Sequence, residues 1–176
     1  MAIAPGTYAL GPENGELLVH TARIGAAARA GHDLEIVVTS WQGTLEVGEA
    51  SRITLSADSS SFRVRSGHGG IQALGEDDKD NIRQTIDEEV LRRTAIAFRS
   101  TAVETGGNRL HVRGDLELMG RRQPVSFDLE LDDGRLTGSA TVRQSDFGMK
   151  PYTALFGTLK VADEVEVTVA VTLQSR

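Results

Sequence analysis

The chain contains no cysteine among its 176 residues, which removes disulfides and thiolate metal sites together and leaves packing to hold the fold. Rings are scarce as well: five Phe, two Tyr and one Trp must serve the whole core. No window approaches the roughly 18 consecutive apolar residues that span a bilayer, so no transmembrane segment is expected. The opening Met1-Ala2-Ile3-Ala4-Pro5-Gly6 lacks the basic and apolar regions of an export signal, and a cytoplasmic location is the expectation. An excess of acidic residues gives a formal net charge of −6, and no basic cluster overrides it. Nucleic acid is therefore not an expected partner.

What the chain has is alternation. Val165, Val167, Val169, Val171 and Leu173 fall on one side of an extended segment, with Glu164, Glu166, Thr168, Thr172 and Gln174 on the other. The same period of two runs through Leu110, Val112, Leu116 and Leu118, through Val125, Phe127, Leu129 and Leu131, and through Leu136, Ala140 and Val142. Gly120 to Pro124, Asp132-Asp133-Gly134 and Phe147-Gly148 supply the turn chemistry between them, so the C-terminal half reads as an antiparallel meander. Shorter strands are expected at 17–24, 34–41, 43–47, 53–57, 62–65 and 95–103. One segment has a different period: Ile82, Ile86 and Val90 recur every four residues behind the acidic start Glu76, Asp77, Asp78 and Asp80, which predicts an α-helix around residues 76–93.

The expected architecture is all-β: one domain over residues 1–176, with about eight antiparallel strands forming a single barrel or a filled sandwich and one inserted helix. Inward positions are mostly Val, Leu and Ala, and glycines fall inside strands at Gly25, Gly43, Gly114 and Gly138, as bends and bulges of a closed sheet require. A barrel of about eight strands lined by small side chains is just wide enough to hold one ligand. A continuous apolar cavity is therefore expected, with Val112 and Val167 among its inward residues.

Chemistry-bearing constellations are few. His20, His32, His68 and His111 lack metal-ligand spacing, and no metal or other cofactor is expected. The acidic run at 76–80 lacks the glycine and distal Glu of a calcium loop, and no nucleophile elbow or carboxylate pair is evident. His32 and Asp33 head a strand. They could meet a ligand's polar end, act as an acid–base pair, or simply bond the backbone. Phe147, Tyr152 and Phe156 cluster with Lys150 and Pro151 before the last strand, either plugging one end of the barrel or forming a rim at which Lys150 meets an anionic head group.

Three stretches resemble the YceI-like family: Gly31-His32-Asp33-Leu34-Glu35-Ile36 running to Trp41-Gln42-Gly43-Thr44-Leu45; Leu110 to Leu116 with Pro124-Val125 to Leu131; and Phe147-Gly148-Met149 through Val161-Ala162-Asp163-Glu164-Val165. The helix and a following strand ending Ala97-Phe98-Arg99-Ser100 stand in the family's order. In place of the aromatic pair and Tyr-Pro that members often carry between helix and strand, this chain has Glu88 to Ile96. The resemblance implies a lipocalin-like barrel associated with polyisoprenoid or other amphiphile binding.

The leading functional expectation is non-catalytic binding of a long apolar or amphiphilic molecule within the barrel, with His32, Asp33, Trp41, Val112, Phe147, Lys150, Tyr152, Phe156 and Val167 as candidate contacts. Two other readings stand beside it. One is an enzyme acting on such a ligand through His32 and Asp33; the other is a barrel whose interior is full and which serves a structural role. A hydrophobic small molecule is the expected partner, with a homodimer left open.

Overall fold

The computed structural model describes residues 3–25, 33–68, 74–154 and 159–173. In chain order its strands are β1 (Gly6–Leu10), β2 (Gly15–Thr21), β3 (Arg23–Ile24), β4 (Asp33–Val38), β5 (Trp41–Val47), β6 (Arg52–Ala57) and β7 (Phe62–His68). Helix α1 (Glu76–Thr85) follows and continues into a π-helical turn, Ile86–Val90. The second half contains β8 (Ile96–Gly106), β9 (Arg109–Leu118), β10 (Arg121–Asp132), β11 (Arg135–Arg143), β12 (Thr153–Ala154), β13 (Leu159–Val161) and β14 (Glu164–Thr172). Eleven strands form one antiparallel sheet in the order β1-β5-β6-β8-β9-β10-β11-β14-β2-β4-β7, and β12-β13-β3 form a small second sheet.

The meander is built as its turns dictate. Met119-Gly120 and Asp133-Gly134 both place two successive residues at positive φ (55° and 73°, 50° and 77°), the condition for the two-residue turn whose twist matches its strands. The first of these turns is shorter than the Gly120–Pro124 stretch expected: β10 already starts at Arg121, and Pro124 lies within it opposite Asp115. Counted from the Leu118–Arg121 closing pair, that is a position where the ladder asks for no N–H, so proline is tolerated.

The count of about eight strands is corrected to eleven in the main sheet. β1 was not expected, and β4 is parted from β5, and β6 from β7, by a corner at which the inward phase shifts by one residue, from Val38 to Trp41 and from Ile53 to Val64. β4 and β5 are separated only by Thr39-Ser40, yet they lie near opposite ends of the sheet order. The sheet must therefore curl until those ends meet. Thr39 N–H donates to the Ser61 carbonyl at 2.8 Å and Asp58 N–H to the Ser40 carbonyl at 3.1 Å, carrying the ladder across the corner. A 3₁₀ turn at Ser59–Ser61, capped by the Asp58 carboxylate accepting from Ser60 N–H, makes the matching bend between β6 and β7. The result is a curled, barrel-like sheet.

Packing within the curl is uneven. Leu45, Leu110, Leu129, Leu136 and Val171 are at most 1% exposed and fill one end. Toward the other end of the same strands, Ala140, Val165, Val167 and Val169 are only half-buried although they continue the same inward face. A second cluster of Leu91, Leu118, Val142, Phe147 and Met149, with Ile86 and Val90, joins the helical segment to that end. The buried Ser59 hydroxyl donates to the buried Asp87 carboxylate at 2.7 Å, tying the π-helical turn to the corner.

Candidate functional site

The half-buried inner face encloses a cavity of about 510 Å³. Leu10, Leu129, Leu136 and Val171 line its packed end, and β2, β6, β8, β9, β10, β11 and β14 supply walls that include Leu17, Val19, Leu55, Phe98, Leu116, Val125, Phe127, Ala140 and Val167. Phe98 and Phe127 meet with ring centroids 5.4 Å apart at 54°. Helix α1 and the π-helical turn close one side with Ile82, Thr85, Ile86 and Val90, the face that the four-residue spacing marked. Across the small sheet, Val161 pairs with Arg23 and its N–H donates to the Tyr152 carbonyl, and all three residues line the cavity.

Polar groups on this wall are sparse. Arg23 is the one side chain of the described wall that carries charge at neutral pH. Its Nε lies 3.8 Å from the Asp33 carboxylate, which also accepts from Arg23 N–H at 2.8 Å. Gln144 donates to the Ala162 carbonyl. Groups with displaced protonation lie away from the wall. Hydrogen bonds from the Ser60 hydroxyl and backbone N–H hold the Asp58 carboxyl below its usual range, and the partner carboxylates Glu35, Glu46 and Glu164 raise Arg65, Arg52 and Arg143. No group of three His, Asp or Glu able to hold a metal occurs among the described residues. No helix there is long and apolar enough to cross a membrane.

The sequence-derived candidates divide by location. Val167 and Tyr152 line the cavity, the latter at its rim with 47% exposure. Val112, Trp41 and Phe147 are buried in the packed clusters and do not reach the wall. Lys150 is exposed and off the wall, and Asp33 stands behind Arg23. His32 and Phe156 lie outside the described residues. Residues not singled out beforehand carry much of the site: Leu17, Val19, Thr21 and Arg23, whose period of two along β2 and β3 was the available signal. Glycines inside strands work by close approach more than by bending. A Cβ on Gly43 would stand 2.3 Å from Leu55 in a regular ladder, whereas Gly114 does face an irregularity between Ser100 and Ala102.

Comparison with known proteins follows this geometry. No curated protein sequence matches. Among solved structures, the crystal structure of Burkholderia cenocepacia BcnA superposes with a TM-score of 0.65 at 16% identity, covering 89% of this chain and 94% of that one. A mutant CJ YCEI protein with a monobromobimane guest superposes with a TM-score of 0.59 at 10% identity, covering 81% and 86%. At these identities the likeness is one of fold. The family model for the YceI-like domain matches residues 19–173, which takes in every strand of the main sheet except β1 and part of β2. On that match, the chain belongs to the YceI-like domain family.

Proposed function

We propose that this protein binds a long-chain apolar or amphiphilic molecule, such as a polyisoprenoid, inside the curled sheet and leaves it chemically unchanged. The observation that carries the reading is the cavity itself: about 510 Å³, walled by Val, Leu, Ile and Phe, in a fold whose opposite end is tightly packed. At about 30 Å³ per water-sized unit this is room for roughly 17 heavy atoms, enough for an alkyl chain of that length or about three isoprene units. Burying about 15 methylenes is favourable by about 12 kcal/mol before association costs of about 4 kcal/mol or more are subtracted.

The cavity argues against the full-interior reading. The acid–base reading finds little support, because the Asp33 carboxylate is engaged by Arg23 and stands off the wall. Membership of the YceI-like domain family supports a binding role over a catalytic one. Native mass spectrometry of freshly purified protein, with solvent extraction of the same sample, tests the proposal. The expected result is a lipid in stoichiometric amount with the mass of an intact molecule. Time-dependent breakdown of that lipid, or failure to take up any long-chain compound, would overturn it.

A further inference from the structure

We infer that the polar end of the bound molecule is uncharged, an alcohol, amide or ester and neither a fatty acid nor a long-chain amine; this deepens the binding reading above and rests on it. The first observation is the wall. Of the described residues that line the cavity, Arg23 alone has a charged side chain, and the Asp33 carboxylate lies 3.8 Å from it. A ligand carboxylate brought there would lose its hydration without gaining an unmatched cation, and would come close to the Asp33 carboxylate as well. An ammonium would meet no carboxylate among the described residues of the wall. Removing a charge from water without a partner is costly, whereas a hydroxyl or amide needs only a hydrogen-bond partner.

The second observation is independent of the first. Helix α1 contributes Asn81, Ile82 and Thr85 to the wall, and its exposed start carries Glu76, Asp77, Asp78 and Asp80 against Lys79 and Arg83. Four carboxylates against two cations leave this helix net negative, and the chain's net charge of −6 has the same sign. An anionic head group is disfavoured beside this helix as well as inside. Lys150, the cation expected to receive such a group, is exposed and off the wall. The neutral partners present are of the right kind: Asn81 and Thr85 offer an amide and a hydroxyl on adjacent helical turns, and Thr21 adds a buried hydroxyl from β2.

The test uses ligands that differ only at one end. Protein carrying the neutral dye Nile red is titrated with 1-tetradecanol, tetradecanamide, tetradecanoate and tetradecylamine at about pH 8, where carboxylate and amine are both ionised. The alcohol and amide are expected to displace the dye with affinities about ten-fold or more above those of the carboxylate and the amine. As pH falls and the carboxylate takes up its proton, its affinity should approach that of the alcohol. In Asp33→Asn the carboxylate beside Arg23 is neutralised, and tetradecanoate should gain relative to tetradecanol. Tetradecanoate or tetradecylamine binding as tightly as the alcohol at about pH 8 would overturn the inference while leaving apolar-chain binding intact. An unchanged carboxylate-to-alcohol ratio in folded Asp33→Asn would overturn it equally. Failure of every ligand to displace the dye would overturn the inference and the binding reading together.

Discussion

Ala140 on β11 stands opposite Val167 on β14, and both face the cavity midway along its wall. Replacing Ala140 by Phe adds a six-carbon ring on the cavity side, where it takes the room of about six chain atoms out of roughly 17. A chain long enough to use that space loses about 5 kcal/mol of gross burial at about 0.8 kcal/mol per methylene, or more than a thousand-fold in affinity where nothing compensates. A chain too short to reach it loses nothing. Straight-chain alcohols of increasing length, followed by dye displacement, should therefore bind the parent protein more tightly with each added carbon until the cavity is filled. In Ala140→Phe the same rise should stop about six carbons earlier. Because the ring packs into the cavity and not into the tight end, thermal unfolding should not shift downward, which separates blocked binding from damage. Coincident chain-length profiles for the two folded proteins would refute an interior site.

Three further outcomes are expected. Asp87→Ala removes the buried carboxylate that accepts from Ser59 and should cost about 1.5–3 kcal/mol, read from the denaturant midpoint; an unchanged midpoint would mean that the π-helical turn is held by its apolar contacts alone. Gly114→Ala would place a methyl 2.4 Å from the Arg99 carbonyl oxygen and 2.6 Å from the Phe98 ring, and a loss of about 1–3 kcal/mol is expected by the same measurement. The Asp58 carboxyl, lowered by the Ser60 hydroxyl and N–H, contributes stability that is present above the range where an unfolded aspartate titrates and is lost as pH falls through its lowered folded value. Asp58→Asn should therefore flatten part of the acid limb of a stability–pH profile, and profiles that superpose would show that this cap does not act on folding.

Much of this molecule is written in local pattern. Valines at every second position from 165 to 171 mark β14, Asp133-Gly134 marks a hairpin, and Ile82, Ile86 and Val90 mark the helical face that reaches the cavity. What alternation cannot give is height along a strand. Val112 and Val167 share the same inward period, yet Val112 falls in the packed end at 0% exposure and Val167 beside the cavity. Nor does it say how a corner turns: the inward phase slips by one residue between Val38 and Trp41, across Thr39-Ser40, but a slip in period does not give the direction the backbone takes. Phe147 and Tyr152, adjacent in the chain and read as one cluster, are parted by a 3₁₀ turn at Gln144–Phe147 that ends on Gly148 at φ 71°. Phe147 is thereby turned into the core and Tyr152 left at the rim. Arg23 was passed over because its meaning depends on Asp33, ten residues away in sequence and brought near by the pairing of β2 with β4.

The sheet order also implies a sequence of events in folding. The pairings β8-β9, β9-β10 and β10-β11 join neighbours in the chain, as does the long hairpin from Asp33 to His68 folded at its corner. These need little loop closure and can form early. The seam between β14 and β2 is different: His20 and Thr168 meet there across 148 residues of chain. Until it closes, β14 and β2 each present an unpaired edge bordered by apolar side chains, the form in which a β-protein is most exposed to pairing with another copy of itself. The strand that completes the curl brings Glu166 to that seam opposite His20, while Glu164, two residues before it, is held by Arg143 of β11 on the other edge. Charge at this end of β14 thus opposes intermolecular stacking during the interval when closure is pending, and Glu166 comes to lie opposite His20 once the sheet is finished.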